Sequence, residues 1–160
     1  MHVSARPATD ADRQTLVRLY RELEAEMTPL SDMWARTDGL REPVEVAFDE
    51  ALADDRTLAY IGEIDGVPCG FCLVSVDDTL PQAGGLQIGS FRLIFVDHEA
   101  REVGVGEALR DRAMEELKAR GLTRFDAHVL PGHRLVKNFF ESGGFSARKI
   151  VMHHDLDRER

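Results

Sequence analysis

The segment from residue 88 to residue 109 constrains the fold more than any other part of the sequence. It begins with a long apolar stretch, Ile88 to Val96, which is typical of a buried strand. A loop with two glycines, Gly104 and Gly106, follows and leads directly into a helical pattern that continues to Arg120. A strand that turns through a glycine-containing loop into a helix indicates an α/β protein.

The same turn is suited to an anion. Backbone N–H groups at the start of a helix lack helical acceptors, and the helix dipole favours negative charge there. Glycine lets a phosphate approach the backbone closely. The sequence holds no Walker loop, and Leu109 stands where a dinucleotide fingerprint has its third glycine. The pattern predicts a phosphate cradle of another kind, although glycines that merely ease the turn would produce the same pattern.

The whole chain, residues 1–160, is predicted to form a single domain, because this length suits one substantial core. The predicted order β-α-α-β-β-β-α-β-α-β gives an α/β fold, a central mixed sheet with helices on both faces. Its strands are predicted at Val3–Arg6, Thr57–Ile64, Val67–Val76, Ile88–Val96, Arg124–Leu130 and Phe145–Leu156. Its helices are predicted after a capping box at Thr9–Asp12 through residue 27, from Pro43, at Gly104–Arg120 and at His133–Ser142. Asp65-Gly66 predicts a hairpin turn, and residues 28–42 are predicted to be irregular.

The formal charge of −9 argues against a nucleic-acid partner, since the only basic run is Arg148-Lys149. An acidic protein attracts cationic partners such as amines, although acidity for solubility alone explains the charge equally well. The sequence contains no apolar run long enough for a membrane span and no signal-peptide pattern at its start. We therefore expect a cytoplasmic protein that does not enter a membrane.

Two cysteines, Cys69 and Cys72, have the spacing of metal and redox motifs. Their segment reads as a strand, on which residues three apart point to opposite faces. No second cysteine pair completes a zinc site. We expect two ordinary buried thiols and no metal.

The string Arg101-Glu102-Val103-Gly104-Val105-Gly106 resembles the R/Q-x-x-G-x-G/A loop with which GCN5-related N-acetyltransferases (GNATs) bind acetyl-CoA. The ending Phe139-Phe140-Glu141-Ser142-Gly143-Gly144-Phe145 resembles the Y-E-K-L-G-F ending of that family. The resemblance covers residues 88–156, while the N-terminal half agrees only in the order of elements. It implies a GNAT-like acyl-CoA N-acyltransferase domain that transfers an acetyl group from acetyl-CoA to a primary amine, without a metal. Homodimers are common among relatives, but no feature of this sequence demands one.

The resemblance also implies a set of cofactor contacts. The pyrophosphate would be held by backbone amides of Arg101, Glu102, Val103, Gly104, Val105, Gly106 and Glu107. The pantetheine arm would pair with Ile94, Phe95 and Val96 like a missing strand, because in the family the fourth and fifth strands splay apart there and leave backbone groups unpaired. His133 stands where relatives have an asparagine that contacts the cofactor, so it either replaces that donor or simply precedes a helix. His98 takes the place of a frequent proline.

His128 is the candidate catalytic base. It shares one face of its predicted strand with Asp126, lies at the carboxyl end of that strand, and has an unperturbed pKa suited to base work. Several relatives carry a glutamate at the matching position. A solvated or hydrogen-bonded structural histidine is the alternative, and Glu99, Asp97 and Asp32 are weaker candidates for the base.

Activity and acceptor stay open at this level. Phe140 stands where the family has a tyrosine that protonates the leaving thiolate, which fits either departure with help from water or a weakened enzyme. The loop of residues 28–42 would build the acceptor pocket, where Asp32 and Trp34 suit a cation, although Trp34 fits a packing role equally. A degenerate acyl-CoA-binding module and a non-enzymatic protein-interaction domain are the alternatives to an acetyltransferase.

Overall fold

The computed structural model describes residues 1–158. Its strands are β1 Val3–Pro7, β2 Thr57–Ile64, β3 Val67–Asp78, β4 Gln87–Val96 and β5 Arg124–Ala127. Its helices are α1 Arg13–Met27, α2 Trp34–Thr37, α3 Val44–Ala53, α4 Val105–Ala119 and α5 Arg134–Ser142. The strands form one sheet in the order β1-β2-β3-β4-β5, antiparallel throughout except for the parallel pair β4 and β5. The predicted α/β fold with a mixed sheet is confirmed.

Each face of the sheet carries its own hydrophobic core, because side chains alternate along the strands. Phe71 and Leu73 of β3 pack in one core with buried residues of α1 and α3. Cys72 and Val74 of the same strand pack in the other core with α4 and with Phe140 of α5. The alternation therefore places α1 to α3 on one face and α4 and α5 on the other. None of the helices in the described range is long and apolar enough to cross a bilayer.

Two local sequence signals in the N-terminal half, the capping box and the hairpin turn, form the predicted structures. The backbone N–H of Thr9 donates to the Asp12 carboxylate at 2.8 Å, which forms the capping box before α1. Asp65 and Gly66 take positive φ angles of 50° and 80°, and β2 and β3 pair directly on either side of them.

The connection between α1 and α3 is more ordered than the prediction of an irregular segment. It contains α2, which begins with Trp34, a residue only 5% exposed. The Trp34 ring stacks on Tyr20 of α1 with 6.1 Å between centroids, and the Tyr20 hydroxyl accepts a hydrogen bond from the N–H of Leu40 at 2.8 Å. Burial of these rings orders a segment whose local sequence has no helical period.

Two predictions for the C-terminal region are wrong. Strand β5 ends at Ala127 and not at Leu130, because its pairing with β4 ends there and only one further bond, from His128 N–H to the Phe91 carbonyl at 3.0 Å, continues it. The segment Phe145–Leu156 forms no strand within the described chain. A strand-like composition does not suffice when the backbone has no neighbour with which to exchange hydrogen bonds.

Both cysteines are free and buried, as expected, but they lie in the same hydrophobic core. The register of β2 against β3 shifts at this point, with Gly62 opposite Gly70 and Glu63 opposite Pro68. Cys69 is the extra residue of this bulge, so the expected alternation between Cys69 and Cys72 is lost. Burial raises the pKa of the Cys72 thiol to about 12, which makes it unreactive at neutral pH.

Candidate functional site

Strands β4 and β5 separate before β4 ends. Their parallel pairing runs from Ile88 and Arg124 to Phe91 and Ala127. Strand β4 continues for five more residues, 92–96; Arg92 is skipped at a bulge in the register, and residues 93–96 pair only with β3 among the described residues. One backbone edge of residues 92–96 is therefore open at the carboxyl end of the sheet, the position where α/β proteins bind ligands. Ile94, Phe95 and Val96 lie on this edge.

Helix α4 begins directly beside the open edge. Gly104, the residue before it, has a φ of 100°, and a Cβ placed there would meet no atom within 4 Å. The backbone N–H groups of Val105, Gly106 and Glu107 have no acceptor among the described residues. Free amides that face open space at a helix start are what an anion cradle requires.

Gly106 has a different role from Gly104. A Cβ on Gly106 would lie 3.2 Å from the Phe139 ring of α5. The guanidinium of Arg110 covers the same ring at 4.7 Å from its centroid. The missing side chain of Gly106 makes room for α5, so this glycine serves helix packing and does not by itself indicate a ligand.

Two strand glycines bring the start of α4 close to the sheet. A Cβ on Gly62 of β2 would lie 2.6 Å from the Val105 side chain of α4, and a Cβ on Gly70 of β3 would lie 3.4 Å from the Leu109 side chain of α4 and 2.8 Å from the Phe95 carbonyl oxygen of β4. Glycine inside a strand often marks such a close approach. These contacts place the free amides of α4 next to the exit of β4.

The side chain of Arg101 turns inward from the loop between β4 and α4. Its Nε donates to the Val96 carbonyl at 3.0 Å, and its Nη2 donates to Glu26 at 2.7 Å. The guanidinium also lies 5.5 Å from the centroid of the Phe95 ring. Arg101 thereby satisfies a carbonyl at the open end of β4 and ties the loop to α1.

Glu26 joins the parts of the site, and the sequence analysis missed it. Besides Arg101, its carboxylate lies 3.5 Å from Nε2 of His133 and 3.7 Å from Nε2 of His98. Burial lowers the pKa of His133, while the negative charge of Glu26 opposes that shift. Glu26 sits between the buried residues Leu23 and Met27 on α1, and this place on a mostly apolar face was its only sequence signal.

A second carboxylate that the sequence analysis missed, Glu22, faces the candidate residue Asp97. A hydrogen bond with Asp97 raises the pKa of the Glu22 carboxyl, and partial burial adds to the shift. Arg18 lies 3.4 Å from Glu22 and 3.8 Å from Asp97. Glu22 and Asp97 thus share Arg18 as a counter-charge near the end of β4.

His128 lies outside the Glu26 cluster. Its side chain is exposed, but partial loss of hydration lowers its pKa, and the positive charge of Arg92 lowers it further. The charges of Asp126 and Asp38 oppose this shift. Asp126 is held by Arg148 through two bonds of 2.8 and 2.6 Å. The role of His128 as a base stays a prediction.

The candidate acceptor residues differ in accessibility. Trp34 is buried against Tyr20, which favours the packing role. Asp32 is exposed and lies 3.7 Å from Arg36, one turn along the chain. Glu99, a weaker candidate for the base, is exposed in a short turn after β4. Their part in acceptor binding or catalysis stays a prediction.

Phe140 belongs to the hydrophobic core and is 3% exposed. Its ring packs on Phe91, Phe139 and Phe145 with centroids 5.5, 5.1 and 5.1 Å away. Phe140 has no hydroxyl, and its ring is enclosed among other aromatic rings. In the described part of the chain, no three His, Cys, Asp or Glu side chains are grouped so that they could hold a metal ion.

A mixed sheet that opens between two parallel strands beside a free helix start defines an α/β protein with a ligand site at the carboxyl end of its sheet. The chain belongs to the acetyltransferase (GNAT) family, whose sequence profile matches residues 13–145. No curated protein matches the chain significantly.

Solved structures share the fold along nearly the whole chain. A tetramutant of the BH1408 protein from Bacillus halodurans has a TM-score of 0.81 at 18% identity, covering 98% of this chain and 100% of that one. AAC(6')-Iy in complex with the bisubstrate analogue CoA-S-monomethyl-acetylneamine has a TM-score of 0.76 at 19% identity. The match covers 100% of this chain and 99% of that one. A GCN5-related N-acetyltransferase from Ralstonia eutropha has a TM-score of 0.75 at 21% identity. The match covers 96% of this chain and 99% of that one. At such identities these likenesses establish the fold alone.

Proposed function

We propose that this protein transfers an acetyl group from acetyl-CoA to a primary amine of a small molecule or peptide. One observation carries the proposal: the open edge of β4 at residues 92–96 adjoins the free amides of Val105, Gly106 and Glu107. An extended arm that ends in a pyrophosphate matches this pairing of a strand edge with an anion cradle. Membership of the GNAT family and a solved relative that holds a CoA bisubstrate analogue support the same assignment.

Within this proposal, the chain supplies binding groups of two kinds. Backbone groups of Ile94, Phe95 and Val96 pair with the pantetheine arm, and amides of residues 101–107 hold the pyrophosphate. Arg101 acts as a positioning residue, because its guanidinium is already engaged by Val96 and Glu26. His133, which lies 3.5 Å from the same Glu26, is a further proposed contact of the cofactor.

The chemistry needs a base for the amine and a donor for the developing oxyanion. The amine nitrogen attacks the thioester carbonyl carbon, its proton passes to the base, and the C–S bond breaks to release the thiolate. His128 is the proposed base, and an N–H of β4 at Phe95 or Val96 is the proposed oxyanion donor. Because Phe140 has no hydroxyl, the thiolate takes its proton from water. The ordinary pKa of a free thiol, about 8.5, permits this.

A binding module without turnover is the second candidate. The enclosure of Phe140 in an aromatic core supports it, since no tyrosine hydroxyl is available to the thiolate at that place. The two candidates share the cofactor site and differ only in release of thiol in the presence of an amine.

Calorimetric titration with acetyl-CoA, with free CoA as a control, tests the cofactor site. We expect micromolar binding to the unaltered protein. Val103, 38% exposed on the loop, offers a matched pair of variants. Val103→Glu adds a carboxylate beside the cradle and should weaken binding about tenfold, or about 1.4 kcal/mol, whereas Val103→Gln has nearly the same shape and should bind normally. Failure of the unaltered protein to bind either ligand would remove the proposal and favour a protein-interaction domain.

A thiol-release assay over several classes of amine then separates the enzyme from the binding module. Release above the rate of hydrolysis with any amine supports the enzyme, and binding without release supports the module. His128→Ala should lower the rate about 100-fold or more and remove a titration below about pH 6.5 from the pH–rate profile. His153→Ala, in the exposed C-terminal segment, is the matched control. A profile unchanged by His128→Ala would reject this residue as the base.

A further inference from the structure

Four polar side chains of β3 and β4 are joined by hydrogen bonds, and the mechanism proposed above gives them no role. The Asp77 carboxylate accepts bonds from the hydroxyls of Ser75 at 2.9 Å and Ser90 at 2.7 Å, and from Nη2 of Arg92 at 3.0 Å. Nε of Arg92 donates to the Ser75 hydroxyl at 3.0 Å, so two partners hold the guanidinium. Ser90 is only 1% exposed, and a hydroxyl so buried is costly unless it is hydrogen-bonded. These side chains form one fixed unit, the polar network, with Asp77 at its centre.

A bulge in β4 turns Arg92 into the polar network. The register steps from Phe91 to Leu93 opposite two consecutive residues of β3, so Arg92 is the extra residue. Val76, next to Asp77, packs in the core on the α4 face of the sheet, which places the carboxylate on the opposite face, that of α1 to α3. A bulge redirects a side chain and is common beside active sites.

His128 adjoins Arg92 at the point where β4 and β5 separate. The last pair of these strands is Phe91 with Ala127, and the N–H of His128 donates to the Phe91 carbonyl at 3.0 Å. The next residue of β4 along the chain is Arg92, so its backbone lies beside that of His128. Ala127 and Val129 both pack in the core on the α4 face, and alternation therefore places the His128 side chain on the face of the polar network.

We propose that Arg92 is a positioning residue for His128, because the polar network fixes its guanidinium beside the imidazole at the opening between β4 and β5. This inference rests on the proposed function, in which His128 accepts the proton of the amine. A base must be unprotonated before it accepts a proton, and a fixed positive charge nearby disfavours protonation of an imidazole. A guanidinium suits this role because it does not lose its own proton in a folded protein.

The charges around His128 agree with this arrangement. Loss of hydration lowers the pKa of His128 most, and the positive charge of Arg92 lowers it further. Three carboxylates oppose the shift: Asp126, Asp38 and Asp77. Asp126 is paired with Arg148 and Asp77 with Arg92, which limits the effect of both acids. Partial burial raises the pKa of Asp77, but its hydrogen bonds outweigh that effect and lower it, so the carboxylate stays ionised and retains Arg92 at neutral pH.

A proton NMR titration of the His128 ring tests the arrangement without any assay of activity. The ring signal that is absent from His128→Ala identifies this residue. Arg92→Gln should move the titration of His128 to higher pH, because it removes a positive charge and leaves the Asp77 carboxylate without its counter-charge. Arg92→Lys keeps the charge and should move the titration less.

Arg56→Gln is the matched control for the titration. Arg56 also pairs with an aspartate of β3, Asp78, at 2.6 Å, and its side chain is 46% exposed against 45% for Arg92. Its loss should leave the titration of His128 where it is. An unchanged titration in Arg92→Gln, or an equal change in Arg56→Gln, would overturn the proposal.

The pH–rate profile of acetyl transfer shows whether the arrangement serves the reaction. In Arg92→Gln, the rate at about pH 6.5 relative to that at about pH 8.5 should fall about threefold or more, and Arg92→Lys should restore part of it. A raised KM for the amine with an unaltered profile would show that Arg92 binds the acceptor, and it would overturn the proposal. If the unaltered protein released no thiol with any amine while Arg92→Gln still moved the NMR titration, the proposed function would be wrong and the coupling of Arg92 to His128 would be confirmed.

Discussion

At the end of α1, the Glu26 carboxylate lies beside three side chains that come from separate parts of the chain. Arg101 belongs to the loop before α4, His98 to the turn after β4, and His133 to the residue before α5. The carboxylate accepts a charge-assisted hydrogen bond from Arg101 at 2.7 Å, and the two imidazole rings lie beside it at 3.5 and 3.7 Å. The Arg101–Glu26 contact therefore couples the position of the cradle loop to α1.

Replacing Glu26 by Gln should destabilise the protein by about 1–3 kcal/mol, because it weakens a charge-assisted bond and leaves a partly buried guanidinium without its counter-charge. Urea denaturation measures the loss. Glu24→Gln is the control, since Glu24 lies on the same helix and its pair with Arg21, at 3.1 Å, is more exposed. That change should cost about 1 kcal/mol or less. Equal losses for both variants would show that the Glu26 cluster adds no stability beyond an ordinary surface pair.

His133 should make stability depend on pH. Burial lowers its pKa in the folded state, so the unfolded chain binds the proton more readily. The free energy of unfolding should therefore decrease as the pH falls through about 6.5, and the lowered pKa of His128 acts with the same sign. His133→Gln should flatten the slope of melting temperature between about pH 7.5 and about pH 5.5, whereas His153→Gln should not. An unaltered slope in His133→Gln would mean that other groups cause the dependence.

At the scale of elements, the start of α4 depends on the glycines of the strands beneath it. A Cβ on Gly62 would lie 2.6 Å from Val105, and one on Gly70 would lie 3.4 Å from Leu109, so both glycines allow α4 to lie close to the sheet. The position of the free amides is thus set by the sheet and not by the loop alone.

Gly62→Ala should cost about 1–3 kcal/mol of stability, because the new methyl group would lie 2.6 Å from Val105 and force the helix outward. In a Val105→Ala background the same change should cost much less, since the clashing methyl groups are gone. A double-mutant cycle in urea gives the coupling between the two sites. Additive losses would show that the helix moves freely and that the contact does not position it.

The sequence predicted those elements whose signals are local. The hairpin at Asp65-Gly66, the apolar stretch of β4 and the periodic helix α4 all carry their own patterns. The contact of Glu26 with Arg101 joins residues 75 positions apart and has no local pattern. Alternation within β3 was misjudged for the same reason, because the bulge at Cys69 arises from register against β2.

At the scale of the whole molecule, the C-terminal prediction was incomplete. The composition of residues 145–156 is that of a strand, and pattern alone cannot show whether a neighbour exists for it. Among the described residues, the backbone of residues 146–154 has no strand with which to pair. The cytoplasmic location and the absence of a nucleic-acid partner rest on composition and stay predictions.

The net charge of −9 should govern how fast each proposed substrate reaches the site. Acetyl-CoA carries several phosphate charges, so the field of the protein repels it at long range, whereas a cationic amine is attracted. Raising the salt concentration from about 20 mM to about 200 mM should therefore increase the association rate of acetyl-CoA and raise the KM of a cationic acceptor. Stopped-flow binding and steady-state assays measure the two effects, and a neutral osmolyte at matched osmolality is the control. If salt slowed the association of acetyl-CoA, local positive charge at the cradle would outweigh the overall charge, and substrate capture would be a local property of the open edge.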